Sequence, residues 1–206
     1  MNPTPEWLED AALQRWWDIV DSAGGALRMV GGCVRDFVMQ RATTDWDAAT
    51  TLLPEQIMEL ASTHGIKAIP TGIAHGTVTL VLGSHILEVT TLRRDVETDG
   101  RHARVAYTDS WEEDAARRDF TMNALSMDRN GTVHDYFGGI GDAMAGRVRF
   151  IGDAQARIAE DALRMLRYFR FLAHFGRGRS DAAALTACGK HASKLTRLSG
   201  ERMRRE

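Results

Sequence analysis

The chain has few cysteines and no long apolar run, and both shortages exclude whole classes of protein. Its 206 residues include only two cysteines, Cys33 and Cys188. Their spacing fits neither a disulfide framework nor a zinc site, and it predicts a reduced, cytoplasmic setting. No apolar run approaches the ~20 residues that span a bilayer, so we expect no membrane partner. The polar N-terminus also lacks the basic and then apolar pattern of a signal peptide.

Charge is distributed unevenly along the chain. The net charge is −2, from 26 Lys and Arg against 28 Asp and Glu. From Arg157 onward there are 12 basic and 5 acidic residues, or +7, and the remaining residues carry 14 against 23, or −9. A basic segment of this kind favours contact with a polyanion. On charge alone, solvated helix faces are the simpler interpretation.

The periodicity of the apolar residues predicts an α+β fold in two parts. Residues 1–152 are expected to hold a small mixed β-sheet flanked by helices, and residues 153–206 to be all-helical. In the first part we expect helices over residues 8–20, 34–41, 54–64 and from 110, strands over 27–30, 45–49, 77–82, 85–92 and 121–127, and a long loop over 93–109. In the second part an apolar helix face recurs from Ala162 to Ala173, and Ser199 is expected to cap a last helix.

A pair of glycines follows the first predicted strand and opens a helix. Gly31 and Gly32 allow backbone N–H groups to approach a ligand closely, and a helix N-terminus favours phosphate. Arg35 adds a guanidinium fork that binds phosphate oxygens. On the two glycines alone, a plain strand-to-helix turn is the favoured interpretation. Cys33, inside the turn, has no base partner and is predicted to be a packing residue rather than a nucleophile.

Two carboxylates follow ten residues after Arg35. Asp45 and Asp47 lie two apart, so on a strand both point to one face and Trp46 points to the other. Two like charges held together are unfavourable unless a cation lies between them, and carboxylate oxygens suit Mg²⁺. A lone Asp-x-Asp is weak support for a metal site. Its position directly after a phosphate-binding turn makes the prediction strong.

Together these elements resemble the class II tRNA nucleotidyltransferases, of the bacterial and eukaryotic type, and the related bacterial poly(A) polymerases. The pattern Gly-Gly-x-Val-Arg-Asp and then Asp-x-Asp covers residues 31–47. Residues 117–124 resemble the ribose-recognition motif, residues 160–164 the base-recognition motif, and residues 199–202 the next helical motif. The resemblance implies a catalytic nucleotidyltransferase head over residues 1–152 and a helical neck over residues 153–206, without the body and tail that family members normally have.

The activity that this resemblance implies is template-independent addition of C and A to the 3′ end of tRNA. The nucleotides come from CTP and ATP, pyrophosphate is released, Mg²⁺ is the cofactor, and no DNA partner is expected. Within the family, a bacterial poly(A) polymerase and enzymes that add only CC or only A stay open. A non-catalytic RNA-binding fragment is the alternative of a different class.

Base selection is assigned to Asp161 and Arg164, which are expected to project from one side of a helix at positions i and i+3. Asp accepts hydrogen bonds and Arg donates them. Cytosine and adenine each present an amino donor beside a ring-nitrogen acceptor, so this pair could bind either base. Uracil and guanine present the opposite order and would leave buried groups unpaired. An intrahelical salt bridge, worth only about 0.2–0.5 kcal/mol, is the structural alternative.

The resemblance also implies the remaining site residues. Those expected at the nucleotide are Arg118, Asp119, Asn123, Arg167 and Arg170, with Arg117 structural. Glu88 lies within an apolar stretch; it is either a third carboxylate acting as general base or a solvent-facing residue. The chain departs from the family where Gln40 replaces a usual glycine, so we expect a different turn before Asp45. The loop over 93–109 is implied to help switch between C and A addition.

Overall fold

The computed structural model describes residues 5–43, 45–98, 103–178 and 180–206. Its strands are β1 (Leu27–Val30), β2 (Trp46–Thr50), β3 (Lys67–Gly72), β4 (Thr77–Leu82), β5 (His85–Thr91), β6 (Arg93–Thr98), β7 (Ala103–Tyr107), β8 (Ser126–Met127) and β9 (Val133–His134). Its helices are α1 (Glu6–Glu9), α2 (Ala11–Ser22), α3 (Gly32–Val38), α4 (Pro54–Thr63), α5 (Trp111–Ala116), α6 (Gly139–Ala145), α7 (Ala154–Glu160), α8 (Leu163–Phe175), α9 (Ala182–His191) and α10 (Gly200–Arg205).

Seven strands form one mixed sheet in the order β3-β4-β5-β2-β1-β8-β9, and β6 pairs with β7 in a separate ribbon. Only the central pair β2–β5 is parallel, with Asp47 directly opposite Glu88. The predicted mixed sheet flanked by helices is therefore confirmed. The hairpin β4–β5 turns at Gly83, whose φ of 60° suits a two-residue turn.

The two faces of the sheet have different surroundings. Trp46 and Ala48 of β2 belong to the main core, where α2 and α4 contribute Trp16, Trp17 and Ile57. Asp47 and Ala49 alternate to the opposite face, as the strand period requires. There the buried cluster is much smaller, made of Val30, Ala49 and Leu92. One face is thus covered by helices, and the other presents the carboxylates.

A second core joins the C-terminal helices to the sheet-bearing part. Phe120 lies 5.0 Å from both Phe150 and Phe171, measured between ring centres, and Tyr168 stacks on Phe150 at 5.6 Å. The same cluster includes residues of α9. Aromatic side chains from both parts therefore share one interior. The expected boundary between residues 152 and 153 stays a prediction.

Several sequence expectations were wrong in detail. The first helix is interrupted at Asp10, whose carboxylate accepts the Leu13 N–H at 2.8 Å and so starts α2. The expected strand over 121–127 begins as a 3₁₀ turn and is a strand only in β8. The expected loop over 93–109 is the β6–β7 ribbon, although its residues 99–102 lie outside the described residues. Strand β3 and helix α6 were not expected.

Helix α3 ends in a Schellman motif centred on Gln40. The Arg41 N–H donates to Asp36 O at 2.8 Å, and the Gln40 N–H donates to Phe37 O at 3.0 Å. Gln40 has φ of 55° in this motif, which is the left-handed conformation that glycine favours. Gln40 therefore occupies a position where glycine would be unstrained.

Among the helices that the structure describes, none has the length and apolar character needed to cross a membrane.

Candidate active site

A cavity of about 420 Å³ opens on the carboxylate face of the sheet, between the start of α3 and the start of α8. Ten of the predicted site residues line it, namely Gly31, Gly32, Arg35, Asp47, Arg118, Asp119, Asn123, Asp161, Arg164 and Arg167. Arg117 and Phe171 complete the lining. Segments more than a hundred residues apart in sequence are thus brought to one cavity. The predicted residues Asp45, Glu88 and Arg170 are not part of its lining.

The glycine turn allows a close approach between backbone and side chain. Gly31 has φ of 70°, and a Cβ built there would lie 3.0 Å from Nη1 of Arg118. Any larger residue would therefore be strained in its backbone and would also displace this guanidinium. Gly32 begins α3 and lines the cavity beside Arg35. The turn leaves room at the point where phosphate binding was predicted.

Arg35 is buried and held from several sides. Its Nη1 donates to Asn123 Oδ1 at 2.7 Å, and its Nε and Nη2 donate to the Asp36 carboxylate at 3.0 Å. The guanidinium carbon also lies 4.1 Å from the ring centre of Phe175. The side chain is consequently fixed in the cavity wall before any ligand arrives. The stacking on Phe175 was not predicted, although the aromatic face of α8 was visible in the sequence.

The carboxylates of Asp47 and Glu88 face each other across neighbouring strands. Burial, the charge of Glu88 and the charge of Asp45 raise the pKa of Asp47, and Arg118 opposes them. Asp45 is exposed just before β2. Such a set of acids disfavours the charged form of Asp47 until a cation approaches. No group of three His, Cys, Asp or Glu side chains in the described ranges has the geometry of a preformed metal site.

Asp119 links the sheet-bearing part of the cavity to α8. Its Oδ1 accepts hydrogen bonds from the Phe120 N–H at 2.8 Å and from Asn123 Nδ2 at 3.1 Å. Its Oδ2 accepts from Arg167 Nε at 2.7 Å. Arg170 instead pairs with Glu206 at 2.9 Å. Asp119, Asn123 and Arg167 are therefore one connected unit, and Arg170 reaches it only through Glu206, which also pairs with Arg167 at 3.2 Å.

Asp161 is not inside a helix, contrary to the sequence expectation. It has an extended backbone (φ −149°, ψ 111°) between α7 and α8, and its Oδ1 accepts the Leu163 N–H at 3.0 Å. Its short side chain competes for backbone donors and so interrupts the helix. Arg164 lies in the first turn of α8, where its Nη1 donates to Glu160 and to Arg157 O. Both residues still line the same cavity.

Asp114 was missed by the sequence interpretation. It is buried and pairs with Arg117 at 2.8 Å and with Arg118 at 3.3 Å, three and four residues further along the chain. Burial alone raises its pKa, but the two guanidinium groups lower the pKa below the ordinary value of 3.8. Asp114 thus stays charged and holds Arg118 towards the glycine turn. The signal in the sequence was helical spacing, because Asp114 lies in the helix that follows Ser110, three and four residues before Arg117 and Arg118.

Cys33 has the environment of a packing residue. Its thiol is buried and donates to Val30 O at 3.3 Å. Burial raises the pKa of Cys33 to about 12, so no nucleophilic thiolate forms at neutral pH.

Comparison with known proteins gives a consistent set of relatives. Residues 27–149 match the family described as the poly A polymerase head domain. The mitochondrial CCA tRNA nucleotidyltransferase 1 of Mus musculus is 46% identical over 98% of this chain and 47% of its own length. The CCA-adding enzyme of Lactobacillus delbrueckii is 38% identical over 91% of this chain and 46% of its own length.

Solved structures show the same fold. The crystal structure of the Bacillus stearothermophilus CCA-adding enzyme in complex with CTP has a TM-score of 0.82 and 37% identity, covering 94% of this chain and 47% of that one. A tRNA nucleotidyltransferase complexed with a primer tRNA and an incoming ATP analog has a TM-score of 0.74 and 28% identity, covering 90% of this chain and 53% of that one. The present chain spans about half the length of the proteins it matches.

Proposed function

Because the chain belongs to the family of the poly A polymerase head domain, we propose that it transfers C and A nucleotides from CTP and ATP to the 3′ end of tRNA without a template. The observation that carries the proposal is the single cavity described above. This cavity combines a glycine turn to bind phosphate, a strand carboxylate for the reacting centre and the Asp161–Arg164 pair to bind the base.

The triphosphate is proposed to lie at the glycine turn. Gly31 and Gly32 leave the backbone accessible there, and Arg118 is held beside the turn by Asp114. Arg35 is paired with Asp36 and fixed by Asn123, so it contributes its remaining N–H donors rather than free positive charge, and it loses no side-chain freedom on binding. Arg167 lies at the same cavity but is neutralised by Asp119, so it serves to orient Asp119 and Asn123 towards the ribose.

The carboxylates Asp45 and Asp47 are proposed to hold Mg²⁺, with Glu88 beside them. Hard oxygen donors and the raised pKa of Asp47 both fit a divalent cation. When bound, the ion would stabilise charge that develops on the phosphates and favour loss of the proton from the RNA 3′-hydroxyl. Glu88 is exposed and directly opposite Asp47, so its carboxylate is placed to accept that proton.

Base selection is proposed to use the free hydrogen-bonding capacity of Asp161 and Arg164. Asp161 Oδ2 accepts from Arg202 Nη2 at 2.8 Å, and each carboxylate oxygen has lone pairs for more than one hydrogen bond, so Asp161 can still accept from a base. The bonds of Arg164 to other described residues come from Nη1, and Nε and Nη2 point to no such acceptor. An acceptor and a donor are thus presented together, which suits the amino group and ring nitrogen of C and A.

Two observations favour CCA addition over its alternatives. The two relatives compared above carry the names of a CCA tRNA nucleotidyltransferase and of a CCA-adding enzyme rather than of a poly(A) polymerase. A non-catalytic RNA-binding fragment has no need of Asp47 and Glu88 opposite each other at a nucleotide-sized cavity. The expected cytoplasmic location stays a proposal, since the relatives include mitochondrial as well as bacterial proteins.

The test is incorporation by the unaltered chain into a tRNA that lacks its 3′-CCA, with Mg²⁺ and each nucleoside triphosphate added separately. We expect C or A to be incorporated and G and U to be rejected. Asp161→Ala should weaken this selectivity, whereas Asp45→Ala/Asp47→Ala should abolish all transfer. Equal use of all four nucleotides, or transfer by the double variant, would contradict the proposal.

A further inference from the structure

A second cavity lies where the sheet-bearing part meets the C-terminal helices. Its volume is about 450 Å³, and its lining is made of Ala145, Arg147, Arg149, Arg177, Ser180, Asp181 and Ala182. It shares no lining residue with the nucleotide cavity. We propose that this cavity binds a backbone phosphate of the RNA substrate, an inference that rests on the proposed function.

Two of the three arginines are held side by side by one buried acid. Asp142 accepts from Arg149 Nε at 2.8 Å and pairs with Arg147 Nη1 at 3.4 Å. The hydroxyl of Thr121 donates to the same carboxylate at 2.6 Å. The arginine side chains keep 55% and 41% of their surface exposed. One carboxylate thus positions two guanidinium groups and neutralises only one of them.

The third arginine comes from the loop after α8. The Arg177 N–H donates to Gly146 O at 2.9 Å, and a Cβ built at Gly146 would lie 2.7 Å from the Arg177 side chain. The glycine therefore lets the arginine stem pack closely. The Arg177 side chain is exposed and makes no ion pair with another described residue. This guanidinium is consequently available to an incoming anion.

The charges around the cavity sum to a positive value. Three guanidinium groups face two carboxylates, those of Asp142 and Asp181, which leaves +1. One carboxylate oxygen of Asp181 accepts the Ala184 N–H at 2.8 Å, and Asp181 thereby caps α9. The N-terminus of α9, a helix of 10 residues, adds a partial positive charge at the same wall. An anion is the ligand that these groups favour.

The chemistry of the lining points to phosphate rather than to a base or an apolar group. Among the described lining residues there is no aromatic side chain on which a base could stack, and the apolar ones are alanines. Guanidinium groups bind phosphate oxygens in a bidentate way. From Arg164 to the end of α8 the helix rises about 17 Å at ~1.5 Å per residue. The phosphate would therefore belong to a nucleotide distant from the reacting 3′ end.

The experiment compares two double variants that each remove two positive charges. Arg147→Ala/Arg177→Ala alters the cavity and leaves Arg149 on Asp142. The matched control, Arg15→Ala/Lys67→Ala, removes exposed charges on α2 and β3. Binding of labelled tRNA lacking its CCA end is measured by fluorescence anisotropy over a range of salt. We expect the cavity variant to bind about 10-fold more weakly, with a salt slope smaller by about one, and the control to change little.

A further variant and a second ligand complete the test. Arg177→Glu leaves both pairs of Asp142 intact, and should weaken tRNA binding at least as much. CTP binding, measured by titration, should stay unchanged in every variant. Three results would overturn the inference. The first two are unchanged tRNA binding in the cavity variants and an equal loss of tRNA binding in the control. The third is a loss of inorganic pyrophosphate binding in the cavity variants while their tRNA binding stays unchanged. The binding measurement does not depend on catalysis. If the unaltered chain fails to transfer nucleotides, the proposed function is wrong, whereas unchanged tRNA binding in the cavity variants shows that the phosphate site is wrong.

Discussion

At the scale of single residues, the candidate site concentrates charge that the fold alone does not favour. Asp47 is partly buried beside Glu88, and this environment raises its pKa. The folded state therefore binds a proton at Asp47 more tightly than the unfolded state does, and stability is lost as the pH rises above the ordinary value of 3.8. A carboxylate at position 47 therefore does not stabilise the fold at neutral pH, and its proposed role in binding a cation explains its presence.

Replacement of Asp47 by Asn separates these two effects. We expect Asp47→Asn to melt at a higher temperature than the unaltered chain at neutral pH without divalent cations, and the difference to vanish well below pH 3.8. Nucleotide transfer should fall at least about 100-fold, since even groups that only support a metal ligand are worth about 10- to 100-fold. Thermal melts across pH and an incorporation assay test this, and a lower melting temperature at neutral pH would contradict it.

The thiol of Cys33 gives a second prediction at this scale. With its pKa raised to about 12 and its side chain buried, Cys33 should resist alkylation by iodoacetamide at neutral pH until the chain unfolds. Mass spectrometry after limited alkylation locates the modified residue. Cys33→Ala should retain nucleotide transfer, and complete inactivation of a correctly folded Cys33→Ala variant would show that the packing role is wrong.

At the scale of elements, the ends of helices explain where the sequence interpretation succeeded. Ser199 accepts the Arg202 N–H at 3.4 Å, so its predicted capping role is confirmed, and Ser110 accepts the Glu113 N–H at 3.2 Å at the start of α5. The break at Asp161 was missed because the periodic apolar face starts directly after it, at Ala162, so Asp161 was placed in the same helix. The local signal for a break, an Asp that caps the next turn, is weaker than that periodicity.

Gln40 provides an element-scale prediction about stability. A non-glycine residue in the left-handed conformation destabilises the folded state by about 1–2 kcal/mol. Glycine removes this strain, but part of the gain is offset because glycine also increases the conformational entropy of the unfolded chain. We therefore expect Gln40→Gly to increase the free energy of unfolding by roughly 0.5–1 kcal/mol. Urea denaturation measures this change. Gln40→Ala is the control, because alanine has the same strain as glutamine, and an equal response of the two variants would contradict the explanation.

At the scale of the whole molecule, the two parts of the chain share the aromatic core around Phe120. The pattern of apolar residues predicted the sheet and the helices separately. It could not predict their packing, because Phe120, Phe150 and Phe171 have no local signal that assigns them to one another. The same reasoning applies to the cavity, whose residues were identified by motif and whose closeness in space depends on this packing.

A shared core predicts cooperative unfolding of both parts. All five tryptophans lie within the first 111 residues, so their fluorescence reports on the sheet-bearing part, whereas circular dichroism also reports on the C-terminal helices. The two signals should give coincident transitions in urea. Phe120→Ala should lower the free energy of unfolding by about 3–5 kcal/mol. Two separate transitions in the unaltered chain would contradict a common core.

We propose that one cavity both transfers nucleotides and selects C and A. The most direct measurement is sequencing of the 3′ ends formed when a tRNA lacking its CCA is incubated with the chain, Mg²⁺ and all four nucleoside triphosphates together. We expect 3′ ends that extend by C, C and A and then stop. Ends of mixed sequence that contain G and U, or an open-ended run of A, would contradict it.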